Sequence, residues 1–293
     1  MTDPTRWLVT GSRGQLGTDL QEVLAGDDVV VLAVDVEDLD ITDASAVDAA
    51  VKDFVPDVLV NAAAYTAVDP AEENEDLAYR INATGPAHLA AAMRATGGRL
   101  VHVSTDYVFA GDATVPYQVT DEPDPRSAYG RTKLAGELAV RELHPDDSYV
   151  VRTAWVYGAT GNNFVKTMAR LERERDTVSV VDDQRGSPTW SADLARALVE
   201  LARSDARPGT YHCTGSGDTT WCGFARAIFE ELGADPARVL AITTEEFPRP
   251  APRPAYSVLS DSAWRAAGLA PLPPWRDALR SVFAIAGDQL RAG

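Results

Sequence analysis

Tyr129 and Lys133 are the residues of this sequence whose types and spacing point most directly to chemistry. They stand four positions apart in the segment SAYGRTKLAGE, and side chains at that spacing share one face of a helix. A tyrosine, with an ordinary pKa of about 10, delivers a proton near neutral pH only when its anion is stabilised. A neighbouring ammonium would stabilise that anion. The pair is therefore a candidate for protonating the oxygen of a carbonyl group that is reduced by hydride.

The scarcity of lysine strengthens this interpretation. The 27 basic residues include only three lysines, Lys52, Lys133 and Lys166, and the rest are arginines. With nine tyrosines and three lysines in 293 residues, a Tyr-x-x-x-Lys pair would arise by chance in about one such chain in ten. The alternative is an exposed lysine beside a half-buried tyrosine.

The segment LVTGSRGQLG places Gly11, Gly14 and Gly17 between a predicted strand and a predicted helix. Glycines there allow a tight turn and let the backbone approach a pyrophosphate, while the helix N-terminus offers N–H groups to it. Asp35 ends the next predicted strand, from which a carboxylate can accept hydrogen bonds from an adenosine ribose. A tight turn alone would also use glycines, but this combination predicts a dinucleotide site.

The same segment leaves the choice between NADH and NADPH open. Asp35 would crowd a 2′-phosphate, which favours NADH. Arg13, inside the glycine loop, could instead stack on adenine or contact that phosphate. We therefore expect either NADH or NADPH as the cofactor.

Short apolar runs alternate with longer segments of helical spacing along the first half of the chain. Strands are predicted at 6–10, 28–34, 57–63, 99–105, 148–155 and 177–183, and helices at 15–25, 44–54, 75–96 and 128–143. Continuous β-branched runs are typical of a parallel sheet that is covered on both faces. The predicted fold class is α/β, a doubly wound, Rossmann-like parallel sheet.

Beyond residue 155 the regular alternation of predicted strands and helices ends, and proline-rich stretches and isolated helices follow. We predict a dinucleotide-binding Rossmann domain over 1–155. Residues 156–293 are expected to form mainly a smaller α/β substrate-binding lobe, with some segments returning to the first domain. Because no clear linker separates the two parts, we expect them to share one body.

Composition excludes several classes of function. A formal charge of −17 disfavours nucleic-acid binding, because a phosphate backbone would be repelled. No signal-like N-terminus and no apolar run of about 18 residues is found, which predicts a cytoplasmic protein that does not contact a membrane. The two cysteines and four histidines lack the spacing of metal ligands, so no metal site is predicted.

The spacing GxxGxxG, followed by LDITD at 39–43 and NAAA at 61–64, resembles that of the extended short-chain dehydrogenase/reductase family. Over nearly all of the chain, the motifs STDYVFAG, YGRTKLAGE, RTAWVYGATGNNF and VVDDQRGSPTW resemble one group within it, the dTDP-4-dehydrorhamnose reductases. This resemblance implies reduction of the 4-keto group of dTDP-4-dehydro-L-rhamnose to dTDP-L-rhamnose.

The resemblance also implies roles for individual residues. Thr105 would orient the substrate carbonyl, Tyr129 would be the general acid and Lys133 its electrostatic support. The implied cofactor contacts are Gly11, Gly14, Gln15, Leu16, Gly17, Asp35, Asp40, Ile41, Ala62, Ala63, Ala64, Tyr65, Thr66, Tyr129 and Lys133. The implied substrate contacts are Thr66, Val68, Thr105, Asp106, Tyr107, Trp155 and Arg253, although Trp155 could equally belong to the core. Asn82 matches an asparagine of the wider family that would bend a helix or hold a water molecule.

Some family members bind a divalent metal through acidic side chains at a dimer contact. Asp19 and Asp193 stand near the relevant motifs but are shorter than the expected glutamates. The resemblance thus allows a homodimer without predicting its metal.

Two rival functions stay open. One is a reductase of another nucleotide-linked 4-ketosugar. The other is a cofactor-binding regulatory subunit without turnover, because the regulatory subunit of methionine adenosyltransferase also resembles this family. Intact Thr105, Tyr129 and Lys133 favour an enzyme.

Overall fold

The computed structural model describes residues 4–26 and 28–292. Its strands are β1 (Thr5–Thr10), β2 (Val29–Val34), β3 (Val58–Asn61), β4 (Arg99–Thr105), β5 (Ser148–Thr153), β6 (Val156–Tyr157), β7 (Val178–Val181), β8 (Arg185–Gly186), β9 (Thr189–Trp190), β10 (Gly209–His212), β11 (Thr219–Thr220) and β12 (Val239–Ile242). Its α-helices are α1 (Gln15–Leu24), α2 (Ala44–Phe54), α3 (Val68–Glu73), α4 (Glu75–Tyr79), α5 (Gly85–Thr96), α6 (Ala128–Leu143), α7 (Phe164–Glu174), α8 (Ser191–Arg203), α9 (Trp221–Leu232), α10 (Ser262–Ala266) and α11 (Trp275–Ala292).

The central sheet has six parallel strands in the order β10–β5–β4–β3–β1–β2. From β1 the chain moves outward to β2 at one edge and then returns to the other side of β1 to form β3. This reversal opens a crevice at the carboxyl ends of β1 and β3, where doubly wound sheets bind their ligands. The predicted fold class is confirmed.

Both faces of the sheet are buried, because successive side chains of a strand point to opposite faces. In β1, Trp7 and Val9 pack with Leu20 of α1 and Leu198 of α8. Leu8 faces the other way, into a cluster formed with α2, α5 and α6. A ligand is therefore expected at the ends of the strands and not on a face of the sheet.

Three details of the predicted strands and helices differ from the structure. Residues 177–183 do contain a strand, β7, but β7 pairs with β12 outside the central sheet. The sixth central strand is β10, which was not predicted because GTYH offers a short, partly polar run with no apolar periodicity. The helix predicted over 75–96 contains a π-helical turn, Arg80–Thr84, between α4 and α5.

A second apolar cluster lies beyond the central sheet. It joins α7, α9 and α11 through large side chains that include Met168, Phe224, Phe229 and Val282. Three two-stranded sheets, β6–β9, β7–β12 and β8–β11, complete this region. No helix within the described ranges has both the length and the apolarity that crossing a membrane requires.

Candidate active site

A cavity of about 1180 Å³ lies along the carboxyl edge of the central sheet. It is lined by nearly all of the residues that the sequence analysis selected: Gly11, Gly14, Gln15, Leu16, Gly17, Asp35, Asp40, Ile41, Ala62, Ala63, Ala64, Thr66, Val68, Thr105, Asp106, Tyr107, Tyr129, Lys133 and Trp155. The structure thus gathers into one space residues that are spread over about half of the chain.

The glycine loop between β1 and α1 forms one end of this cavity. Gly11 has a φ of +69°, and a Cβ there would lie 2.7 Å from the backbone nitrogen of Ala63. A Cβ on Gly17 would lie 2.1 Å from the carbonyl oxygen of Gly11. Gly14 precedes α1 in an extended conformation and has no side chain to cap it, so the first N–H groups of α1 remain available. This close-packed cradle at a helix N-terminus fits a pyrophosphate.

Asp35 stands directly after β2, beside this loop. Its carboxylate accepts hydrogen bonds from the backbone N–H groups of Arg13 and Val36, each at 2.8 Å. The guanidinium of Arg13 turns to Glu37 and Asp38. The carboxylate is therefore held where an adenosine ribose would meet it.

Thr105, Tyr129 and Lys133 all line the cavity. Thr105 ends β4, while Tyr129 and Lys133 belong to the first two turns of α6. Helix α6 begins here because the Ser127 hydroxyl accepts a hydrogen bond from the N–H of Gly130 at 3.1 Å. Because both residues belong to α6 and stand four positions apart, Tyr129 and Lys133 lie on one face of this helix, as the sequence predicts.

Lys133 is only 2% exposed, and its ammonium donates a hydrogen bond of 2.7 Å to the carbonyl oxygen of Val103. Burial lowers the pKa of Lys133 to about 8, while the negative charge of Glu137 acts in the opposite direction. An ammonium has three N–H groups, so this contact leaves donors for a further partner. At neutral pH the lysine is mainly charged.

Burial raises the pKa of Tyr129 to about 12, and an interaction with the Thr105 hydroxyl partly offsets this. The phenol is therefore protonated throughout the neutral range and can act as a proton donor. Its ring meets that of Tyr107 edge to face, with the ring centroids 5.5 Å apart.

Asp106 adds a second titratable group beside Thr105. Its Oδ1 accepts a hydrogen bond of 2.9 Å from the Thr105 hydroxyl. Its Oδ2 is buried and makes no hydrogen bond of standard geometry within the described ranges, although the Ser257 side chain lies near enough to lower the pKa of the carboxyl group. Burial raises the pKa of Asp106 to about 6. A buried oxygen of this kind requires a donor, and a bound molecule with a hydroxyl group would supply one.

Trp155 lies in the cavity wall with a φ of +49°, which is rare for a residue with a side chain. Its ring stacks on that of Trp221, with the centroids 3.6 Å apart and the planes at 9°. Trp221 also lines the cavity, but no local pattern indicates this, because Trp221 begins α9, far along the chain from Trp155. These two indoles form a flat aromatic wall.

Two predicted site residues do not line the cavity. The backbone N–H and C=O of Tyr65 are hydrogen-bonded to the side chain of Asn82, at 2.8 and 3.1 Å, and its ring packs against alanines of the neighbouring helices. Arg253 forms an ion pair of 2.9 Å with Asp69, next to the cavity residue Val68.

Asn82 lies within the π-helical turn between α4 and α5. Besides Tyr65, its amide also donates to the Thr132 hydroxyl of α6 at 3.1 Å. A π-helical turn inserts one extra residue into a helix, and such turns are frequent at functional sites. Asn82 thus ties the segment after β3 to the helix that carries Tyr129.

Asp19 and Asp193 are both buried, and burial raises the pKa of each carboxyl group. Asp193 pairs with Arg196. Within the described ranges, no group of three or more histidine, cysteine, aspartate or glutamate side chains is placed to hold a metal ion.

Comparison with known proteins places this site in a family. A family model described as RmlD substrate binding domain matches residues 5–287. The chain belongs to this family. It is 52% identical to a dTDP-4-dehydrorhamnose reductase of Streptomyces griseus, a match that covers 95% of this chain and 93% of that protein. The resemblance indicated by the sequence motifs is confirmed.

Two further relatives bear on substrate and cofactor. The chain is 48% identical to a dTDP-4-keto-6-deoxy-D-glucose reductase of Streptomyces niveus, over 97% of this chain and 98% of that protein. It also matches the crystal structure of a dTDP-4-dehydrorhamnose reductase from Bacillus anthracis in complex with NADP. That match has a TM-score of 0.93 and 42% identity, and it covers 96% of this chain and 99% of that chain.

Proposed function

We propose that this chain reduces the 4-keto group of dTDP-4-dehydro-L-rhamnose with NADH or NADPH and so forms dTDP-L-rhamnose. The observation that carries this proposal is the continuity of the cavity from the glycine cradle to Thr105, Tyr129 and Lys133. A dinucleotide and a sugar can therefore share one space. The name of the Streptomyces griseus relative supports the same reaction.

In this mechanism the bound nicotinamide would supply the hydride. Thr105 would turn its single hydroxyl proton from Asp106 Oδ1 to the oxygen of the substrate carbonyl and so hold that group. As negative charge develops there, the phenolic O–H bond of Tyr129 breaks and its proton passes to that oxygen. The resulting phenolate is stabilised by the ammonium of Lys133.

The sugar is proposed to lie against Thr66, Val68, Asp106, Tyr107 and Trp155, all of which line the cavity. Asp106 would accept a hydrogen bond from a sugar hydroxyl through its unpartnered oxygen. Arg253, at the adjacent rim, is proposed to reach the diphosphate of the substrate.

We further propose that residues 1–155 form the cofactor domain and that 156–293 form mainly the substrate lobe, with β10 returning to the central sheet. Cys213 and Cys222 are buried free thiols, as suits the reducing cytoplasm, and we propose that location. A homodimer is also proposed, on family resemblance alone, and sedimentation of the purified protein tests it.

The test is to incubate the purified protein with NADH or NADPH and a panel of nucleotide-linked 4-ketosugars. Turnover is measured as the loss of absorbance of the reduced nicotinamide, and the product is then identified. Fastest turnover with dTDP-4-dehydro-L-rhamnose is expected. Faster turnover of another 4-ketosugar would establish the alternative reductase, which the Streptomyces niveus relative favours. Cofactor binding without any turnover would instead indicate a regulatory subunit.

A further inference from the structure

The ribose end of the cofactor cradle is strongly acidic. Asp35 and Asp40 line the cavity, and Glu37 and Asp38 belong to the same turn after β2. Arg13 is the basic residue of the glycine loop that faces this turn. Whether a further negative group of a ligand can bind here therefore depends on whether the guanidinium of Arg13 is free to pair with it.

Arg13 is held by this turn at two points. Its backbone N–H donates to Asp35, and its guanidinium pairs with Glu37 through Nη1 and with Asp38 through Nη2, the latter at 3.1 Å. The two ends of the residue are thus engaged by different carboxylates.

The turn itself is well ordered by hydrogen bonds. The backbone N–H groups of Asp38 and Leu39 donate to the carbonyl oxygen of Asp35 at 2.8 Å, and the Asp38 carboxylate accepts from the N–H of Asp35 at 3.1 Å. Leu39 is buried and anchors the end of the turn. Both ion pairs lie at the surface, with side chains 45–64% exposed, but the hydrogen bond from Asp35 positions the Asp38 carboxylate to receive the guanidinium.

We propose that Glu37 and Asp38 select NADH over NADPH by occupying the guanidinium of Arg13. The inference rests on the proposed function, which supplies the nicotinamide cofactor. A 2′-phosphate carries about two negative charges and is best bound by a planar guanidinium. Here that group is already paired, and Asp35 adds a repulsive charge. A 2′-hydroxyl is neutral and can donate to Asp35.

Arg80 is the other arginine that lines the cavity. It belongs to the π-helical turn, where its neighbour Ile81 and nearby Leu77 also line the wall, and it takes no part in the Arg13 cluster. Its charge is the same for both cofactors and in all the variants below.

The test measures binding of NADH and NADPH to the purified protein without sugar, by fluorescence titration, and then kcat/KM for each cofactor. In Glu37→Gln/Asp38→Asn, affinity for NADPH relative to NADH is expected to rise about fivefold, the upper end of what exposed ion pairs contribute. Adding Arg13→Gln to this double variant should remove the gain. Asp48→Asn is the matched control, because Asp48 forms an exposed ion pair with Lys52 away from the cavity.

An unchanged ratio in the double variant would overturn the inference. So would a gain that persists after Arg13→Gln, since the release of Arg13 would then not be its cause. If the wild-type protein binds neither cofactor, the proposed function itself fails and the inference fails with it.

Discussion

At the scale of single residues, the role proposed for Tyr129 requires its hydroxyl group and not only its ring. The phenol is protonated near neutral pH, as an ordinary tyrosine is, and burial raises its pKa further, to about 12. Phenylalanine would fill the same space but would have no proton to give. We expect Tyr129→Phe to lose on the order of 10²–10⁴-fold in turnover, the usual range for a general acid, while the Kd for NADH stays nearly unchanged. Near-normal turnover in this variant would show that the proton comes from another group.

Lys133 shows why one position in an arginine-rich chain carries a lysine. Its side chain is 2% exposed and lies against the Val103 carbonyl, where a compact ammonium fits and a broad guanidinium would not. We predict that Lys133→Arg weakens cofactor binding and lowers turnover.

Lys52→Arg is the control for this change, because Lys52 is 61% exposed and pairs with Asp48 on the surface of α2. In steady-state kinetics and cofactor titration, Lys133→Arg should show lower turnover and weaker cofactor binding, while Lys52→Arg should behave like the wild type. Equal behaviour would mean that the lysine at position 133 is not required for the chemistry.

At the scale of elements, α6 is fixed to the sheet by a buried ion pair. Glu137 lies one turn beyond Lys133 and binds Arg152 of β5, with Nη2 at 2.7 Å and Nε at 2.9 Å. The two side chains are 2% and 4% exposed. Ser104 of β4 also donates to Glu137. These contacts set the rotation of α6 and place a negative charge behind the lysine.

This arrangement predicts a pH effect. Lys133 loses its proton with a pKa of about 8, so kcat/KM should fall as pH rises through that value. The charge of Glu137 raises this pKa, so Glu137→Gln should move the alkaline limb to lower pH. Glu142→Gln, at an exposed position of the same helix, should leave the limb in place.

Glu137→Gln leaves Arg152 buried without its partner, which costs about 3–5 kcal/mol of stability. Thermal unfolding must therefore accompany the pH profile. Glu137→Asp keeps the charge and should keep the wild-type limb. An alkaline limb that is the same in Glu137→Gln and Glu142→Gln would contradict this role.

The elements also show which features a sequence can reveal. The bounds of α6 and the glycine loop followed from local signals, namely helical spacing and glycines between a strand and a helix. The sixth central strand did not, because β10 owes its place to pairing with β5 and not to its own pattern. The Trp155–Trp221 stack likewise depends on contact between distant segments. Perturbed pKa values were beyond the sequence as well, since burial is their main cause.

At the scale of the whole molecule, Asp69 joins distant parts of the chain beside the cavity. It lies in α3, yet it binds the guanidinium of Arg249 through a contact that spans 180 positions. It also accepts a hydrogen bond of 3.2 Å from the backbone N–H of Ala251 and pairs with Arg253. A single carboxylate that is 13% exposed therefore fastens the proline-rich segment 247–256 to the first half of the protein.

This junction predicts how stability depends on pH. Burial tends to raise the pKa of Asp69, but the hydrogen bonds and the two arginines outweigh it, and the pKa is lowered in the folded state. A lowered carboxyl pKa stabilises the fold above the unfolded value, which is about 3.9, and this stabilisation is lost as pH falls through the folded value. Asp69→Asn should therefore cost on the order of 2 kcal/mol at neutral pH.

The measurement is the Tm of wild type and Asp69→Asn as a function of pH. The Tm difference should be several degrees at neutral pH and should shrink as the pH falls below about 4, because the wild-type carboxylate is then protonated too. Asp48→Asn should show little difference at any pH, since its ion pair is exposed. A Tm difference for Asp69→Asn that stays constant across this pH range would mean that the side chain acts through its shape, and that charge does not hold the two parts of the chain together.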